Sequence, residues 1–129
     1  MKHIIDISII IPVFNEQHSL EILYDEIKNN ILPKYNWELI FVNDGSKDES
    51  KDIILKLISK YGHVKLIDFH RNYGKSVALN SGFNMSKGKI VITIDADLQD
   101  DPKEINRLIS KINEGYGLVS GWKKYRLDT

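Results

Sequence analysis

The sequence contains no cysteine. That removes disulfides, thiolate zinc centres and cysteine nucleophiles, and it suits a reducing compartment. It has no surplus of either charge, since eighteen basic residues balance eighteen acidic ones. Proteins whose main partner is nucleic acid usually carry a basic excess, so the balance argues against that partner. No apolar run approaches the ~20 residues of a membrane span. Lys2 precedes an apolar segment, but Asp6 interrupts it and no small-residue cleavage site follows. The segment therefore reads as a strand and not as a signal peptide. Glycine-rich phosphate loops are missing too. Gly74-Lys75-Ser76 matches the end of a P-loop, but Phe69 stands where its first glycine belongs, and no G-x-G-x-x-G occurs. His3, His18, His63 and His70 form no nucleophile pattern; His18 and His63 read as solvated surface residues, and His70 as near a site by position only.

What is present fits one soluble globular domain over residues 1–129: 42% hydrophobic and 28% charged residues, with no repeat, low-complexity tract or linker. Apolar runs at Ile7 to Phe14, Trp37 to Val42, Val64 to Phe69, from Ile90, and at Leu118 to Gly121 read as strands. Between them lie segments of helical spacing. Leu20, Leu23, Tyr24, Ile27 and Ile31 share one face, as do Ile54, Leu57, Ile58 and Tyr61, and as do Ile105, Leu108, Ile109 and Ile112. Ser76 to Met85 reads as a further helix, in which Gly82 implies close packing or a ligand. Ser46 with Glu49 predicts a capping box, Gly62 a helix end, and Asp101-Pro102 with Glu104 a helix start. Near-continuous apolar strands alternating with helices predict an α/β fold, a mainly parallel sheet with helices on both faces in three layers.

The polar clusters all fall at strand carboxyl ends: Asn15-Glu16, Asp44-Gly45-Ser46, His70 to Lys75, and Asp95 to Gln99. In a parallel sheet these ends share one edge, where ligands bind at the switch in strand order. Asp95, Asp97, Asp100, Asp101 and Glu104 place five carboxylates within ten residues. Asp101 and Glu104 are explained by a helix start; Asp95 and Asp97 precede it. Close like charges need a compensating cation or hydrogen bonds. Two acids one residue apart at a strand end suit a hard divalent cation. With Arg71 and Lys75 nearby, the pattern points to an anionic ligand bridged by metal, such as a diphosphate.

Five stretches carry a resemblance. They are Ile9-Ile10-Ile11-Pro12-Val13-Phe14-Asn15-Glu16, Phe41-Val42-Asn43-Asp44-Gly45-Ser46, Arg71-Asn72-Tyr73-Gly74-Lys75, Asp95-Ala96-Asp97-Leu98-Gln99-Asp100-Asp101-Pro102, and Val119 to Asp128. In this order they resemble the signatures of family 2 glycosyltransferases with the GT-A fold, and most of all the polyprenyl-phosphate branch. The resemblance implies an inverting, metal-dependent transfer from a UDP- or GDP-sugar to a polyprenyl phosphate, in the cytoplasm at the inner face of a membrane. It implies that Pro12, Val13, Glu16 and Asp44 hold the nucleoside, and that Arg71 and Lys75 lie near the donor phosphates. Asp95 and Asp97 would be the catalytic acids. Asp95, Asp97 and Gln99 would hold Mg²⁺ or Mn²⁺, and Arg126 would meet the acceptor phosphate. The alternatives are transfer to a glycan hydroxyl in polysaccharide synthesis, a non-catalytic nucleotide-binding module, and nucleotidyl transfer. Domains of this family continue well past residue 129. The expectation is therefore the amino-terminal, donor-binding part of a domain truncated at its carboxyl end, poorly active alone, with an exposed sheet edge that favours self-association.

Overall fold

The computed structural model describes residues 4–99, 101–113, 118–119 and 127–128. Four strands, β1 (Ile7–Val13), β2 (Trp37–Asp44), β3 (Val64–Phe69) and β4 (Ile90–Thr93), form one sheet in the order β3-β2-β1-β4. All three pairings are parallel: Ile7 lies opposite Trp37 and Ile90, and Leu39 opposite Val64. The crossovers are α1 (Leu20–Asn30), α2 (Ser50–Lys60) and α3 (Lys75–Met85); α4 (Ile105–Asn113) follows β4.

Side chains alternate across a strand, so each strand feeds two cores. On one face Ile7, Ile9, Ile11 and Val13 pack with Leu39, Phe41 and Ile92. Leu20, Leu23, Tyr24 and Ile27 of α1, Ile54 and Leu57 of α2, and Ile105, Leu108 and Ile109 of α4 close over them. On the other face Ile10, Ile40 and Val42 meet Ala78 of α3, flanked by Leu79 and Phe83. Gly82 answers to packing: a Cβ there would lie 2.4 Å from Ile10 Cγ2. Ala78 and Gly82, one helical turn apart and both buried, let α3 lie close against β1.

The polar end of the second face is a closed network. Glu38, 1% exposed, accepts hydrogen bonds from Ser8 Oγ at 2.5 Å, the Lys87 N–H at 2.7 Å and Lys65 Nζ at 2.6 Å. Gly88 N–H donates to Ser8 Oγ at 2.7 Å, which ties the entry of β4 to β1. Burial is the largest influence on Glu38 and opposes its charge. The Lys65 and Ser8 hydrogen bonds, the Lys87 N–H and the Lys65 charge together outweigh it and hold the carboxyl below its ordinary value.

Several sequence expectations need correction. Ser46 and Glu49 make no capping box. Ser46 Oγ instead accepts the Asn15 N–H at 2.9 Å, and Asp48 Oδ1 accepts the Ser50 N–H at 2.9 Å at the head of α2. His63 is not a solvated surface residue. It is half-buried, shares a 2.8 Å hydrogen bond with the Tyr24 hydroxyl, and packs on Trp37 with ring centroids 4.3 Å apart. Pro102–Glu104 forms a 3₁₀ turn before α4. Asp101 caps it through the Lys103 N–H, whereas the Glu104 carboxylate accepts from Arg107 at 2.7 Å and does not reach back. Leu118–Val119 pairs antiparallel with Leu127–Asp128 in a separate two-stranded sheet and, among the described residues, does not pair with the parallel one. The predicted continuation of that strand to Gly121, the inward side chain of Ile112, Asp100 and Arg126 lie outside the described residues.

Candidate functional site

The order β3-β2-β1-β4 makes β1 the centre from which successive strands were laid first to one side and then to the other. The switch falls between β1 and β4, and their carboxyl ends diverge into loops on opposite faces. A cleft of about 420 Å³ opens there, lined by Pro12, Val13, Phe14, Glu16, Asp44, Asn72, Gly74, Lys75, Asp95, Ala96 and Asp97. Four strand-end clusters therefore converge on one cavity.

Three of its walls are held by backbone-directed polar contacts. Asp44, at the end of β2 and buried, accepts the Tyr73 N–H at 2.7 Å on Oδ1. Its Oδ2 accepts the Gly74 N–H at 3.0 Å and Asn72 Nδ2 at 3.2 Å. It thereby clamps the loop that precedes α3. Gly45 beneath it has φ 74°, and a Cβ there would sit 2.3 Å from the Arg71 carbonyl carbon, so only glycine lets this loop lie so close.

The loop after β1 is laced to the loop after β2. Asn15, itself at φ 54°, accepts the Lys47 N–H at 2.8 Å; Glu16 N–H donates to Ser50 Oγ at 3.0 Å. Gln17 N–H donates to Asp48 Oδ2 at 3.2 Å, and Gln17 Oε1 accepts the Glu49 N–H at 3.0 Å. Burial opposes the charge of Asp48. The Ser50 hydroxyl and N–H and the Gln17 N–H overcome it and hold Asp48 below the ordinary carboxylate value.

The acidic wall follows β4. Ser19 Oγ donates to the Ala96 carbonyl at 2.6 Å, and that buried bond pins the residue between the two aspartates. Asp97 is exposed, its Oδ1 accepting the Gln99 N–H at 3.1 Å, and Leu98 at φ 64° turns the chain sharply just after it. Asp95 Oδ1 accepts a 2.6 Å bond from Lys75 Nζ across the cleft, with side-chain exposures of 29% and 61%.

Of the residues expected from sequence, Pro12, Val13, Glu16, Asp44, Lys75, Asp95 and Asp97 share this cleft. Arg71 and Gln99 are not among its lining residues. The Arg71 guanidinium lies over the Tyr73 ring, 4.8 Å from its centroid, and Gln99 is exposed beyond the Leu98 turn. Sequence reasoning missed Asn72, Gly74 and Phe14 as cleft residues and Ser19 as the tether of Ala96. The Asn72 and Gly74 positions were legible as part of the loop after β3, but a tether linking residues 19 and 96 has no local signature.

The donor chemistry bears on a divalent cation. Asp95 and Asp97 offer hard carboxylate oxygens on one wall, but among the described residues no group of three or more His, Asp or Glu side chains gathers to hold a metal. Two carboxylates fit a Mg²⁺ or Mn²⁺ ion that completes its shell with phosphate oxygens and water. They do not make an all-protein cage.

The similarity to known proteins converges on one family. An uncharacterized glycosyltransferase of Synechocystis is 39% identical over 123 residues, covering 95% of this chain and 39% of the relative. The undecaprenyl-phosphate 4-deoxy-4-formamido-L-arabinose transferase of Yersinia enterocolitica is 40% identical over 125 residues, covering 95% and 38%. This chain thus spans less than two-fifths of the length of either relative. Among solved structures, Staphylococcus aureus TarS 1-349 superposes with TM-score 0.72 at 22% identity, covering 85% of this chain and 33% of that one. A Pyrobaculum calidifontis mannosyltransferase in complex with GDP-Man and Mn²⁺ gives 0.68 at 24%, covering 76% and 29%. The parallel sheet with its helices has the GT-A fold that these structures share. Residues 8–128 match the model of glycosyl transferase family 2, and with the sheet, the switch-point cleft and the acidic strand end in place, the chain belongs to that family.

Proposed function

We propose that residues 1–129 form the amino-terminal, donor-binding part of a glycosyltransferase that moves a sugar from a nucleoside-diphosphate sugar to a polyprenyl phosphate at a membrane surface. The observation that carries this is the convergence of Asp44 and Glu16, Lys75, and Asp95 with Asp97 on one cleft at the strand-order switch. The polyprenyl acceptor is supported by relatives near 40% identity that carry undecaprenyl-phosphate transferase names. No helix among the described residues is long and apolar enough to cross a membrane, so membrane contact in this reading comes through the acceptor or through other parts of the protein.

The cleft divides by chemistry. Pro12, Val13 and Phe14 offer an apolar shelf for a base, and Glu16 and Asp44 offer acceptors for its N–H groups or the ribose hydroxyls. Lys75 supplies a positive charge for the diphosphate. Asp95 and Asp97 hold the divalent cation, which when bound offsets charge on the departing nucleoside diphosphate. An acceptor phosphate oxygen attacks the anomeric carbon as the bond to the diphosphate breaks, with inversion. That oxygen is already anionic, so the transfer needs no strong general base.

Calorimetric titration with UDP and with GDP, each with and without Mn²⁺, tests the reading. The expected outcome is metal-dependent binding of one nucleotide, lost in Asp97→Asn. In a chain long enough to turn over, the same variant lowers the rate ~10²-fold or more, about 2.7 kcal/mol. No binding of either nucleotide to the folded chain, or an Asp97→Asn variant indistinguishable from wild type, overturns it.

A further inference from the structure

The Lys75–Asp95 pair spans the cleft between the head of α3 and the chain that follows β4. Lys75 is the first residue of α3, carried by the loop that Asp44 clamps, and Asp95 follows β4. Its Nζ sits 2.6 Å from an oxygen that the proposed reading gives to a divalent cation. An ammonium at that distance neutralises the carboxylate and repels a doubly charged ion approaching the same oxygen. The lysine side chain is 61% exposed on a flexible four-carbon stem, so it can leave without disturbing the fold. What draws it away is a stronger anion, and a diphosphate in the cleft carries more negative charge than one aspartate.

We infer that Lys75 is an internal counter-cation, pairing with Asp95 until the nucleotide arrives and then transferring to the diphosphate, so that metal and nucleotide enter as a pair. This deepens the donor-site reading and rests on it. Two observations support it independently of the ion pair. The described residues provide no metal cage of their own, so the cation depends on the ligand for its remaining oxygens. The second acid, Asp97, is exposed and lines the same cleft, where it can share an ion with Asp95 once Lys75 has moved to the diphosphate. The consequence is strong positive coupling: each of nucleotide and metal raises the affinity for the other by the same factor.

The test is Mn²⁺ binding to the full chain, followed by the paramagnetic resonance signal of the free ion, without nucleotide and with saturating UDP or GDP. Lys75→Met is expected to bind Mn²⁺ alone about tenfold more tightly than wild type and to bind nucleotide more weakly, so that the coupling factor shrinks. Lys75→Arg, which keeps the charge, is expected to bind nucleotide-free Mn²⁺ as weakly as wild type. Thermal unfolding by circular dichroism confirms that each variant is folded. If wild type shows metal-dependent nucleotide binding but Lys75→Met leaves nucleotide-free Mn²⁺ affinity unchanged, the counter-cation role is overturned and the donor site stands. If wild type binds neither nucleotide with Mn²⁺, both fall together.

Discussion

At the scale of single residues, the site depends on positions where one heavy atom decides the outcome. Gly82 is the clearest. Alanine favours a helix over glycine by about 1 kcal/mol, so Gly82→Ala stabilises an exposed helix. Here the added methyl meets Ile10 Cγ2 at 2.4 Å, and Ile10 is fully buried and β-branched, with little rotamer freedom to yield. Overpacking of this kind costs about 1–3 kcal/mol, so the contact outweighs propensity. Gly82→Ala is expected to lower stability by roughly 1–2 kcal/mol, read as a lower urea midpoint with unchanged slope. Lys75 shows the opposite character, an exposed residue whose removal leaves packing untouched and alters charge alone.

At the scale of elements, the loops form a braced frame and not four separate turns. The loop after β1 is bonded to the loop after β2, the loop before α3 hangs from Asp44, and Ser19 ties the head of α1 to Ala96. Removing the Ser19 hydroxyl loses one buried hydrogen bond, worth about 1 kcal/mol, and leaves the Ala96 carbonyl to reorient. Ser19→Ala is therefore expected to lower stability modestly while weakening Mn²⁺-dependent nucleotide binding several-fold, measured by denaturation and calorimetry on the same preparation. The elements were largely legible in sequence because apolar runs and helical spacing are local signals. β3 falls on the predicted residues, and Asp95 and Asp97 fall at a strand end as expected. The braces were not legible. Ser46 has the right spacing to cap α2, but Asn15 offers it an N–H from a segment thirty-one positions away, and only the fold brings that donor near. His63 was misread for the same reason. Tyr24 and Trp37, which bury it, belong to other elements.

At the scale of the whole molecule, titrating groups lie in both cores and set a pH window. The Tyr24 hydroxyl is pushed up to about 12, first by burial and then by Tyr61 and Asp25. Because an unfolded tyrosine ionises near 10, this contribution is complete below about pH 10 and fades between about 10 and 12. His63 is held below its ordinary value by burial and by the Lys28 charge. The unfolded chain therefore takes up that proton first, and stability declines as pH falls below about 6.5. Glu38, depressed by its network, keeps its contribution above the ordinary carboxylate value and loses it as pH falls through the folded one. The urea midpoint is expected to form a plateau from about pH 7 to 10, with Tyr24→Phe flattening its alkaline limb. The strand order has a consequence of another kind. β1, β2 and β3 join through neighbouring crossovers, whereas β4 returns to pair with the first strand after all of them, Ile90 meeting Ile7. Closing so long a loop costs more chain entropy than closing a short one. Asp95 and Asp97 thus follow the strand whose pairing in the parallel sheet spans the greatest separation in sequence. A nucleotide seated across Pro12 and Asp97 would then act as a clasp between the first strand of the sheet and the strand that returns to it from farthest along the chain.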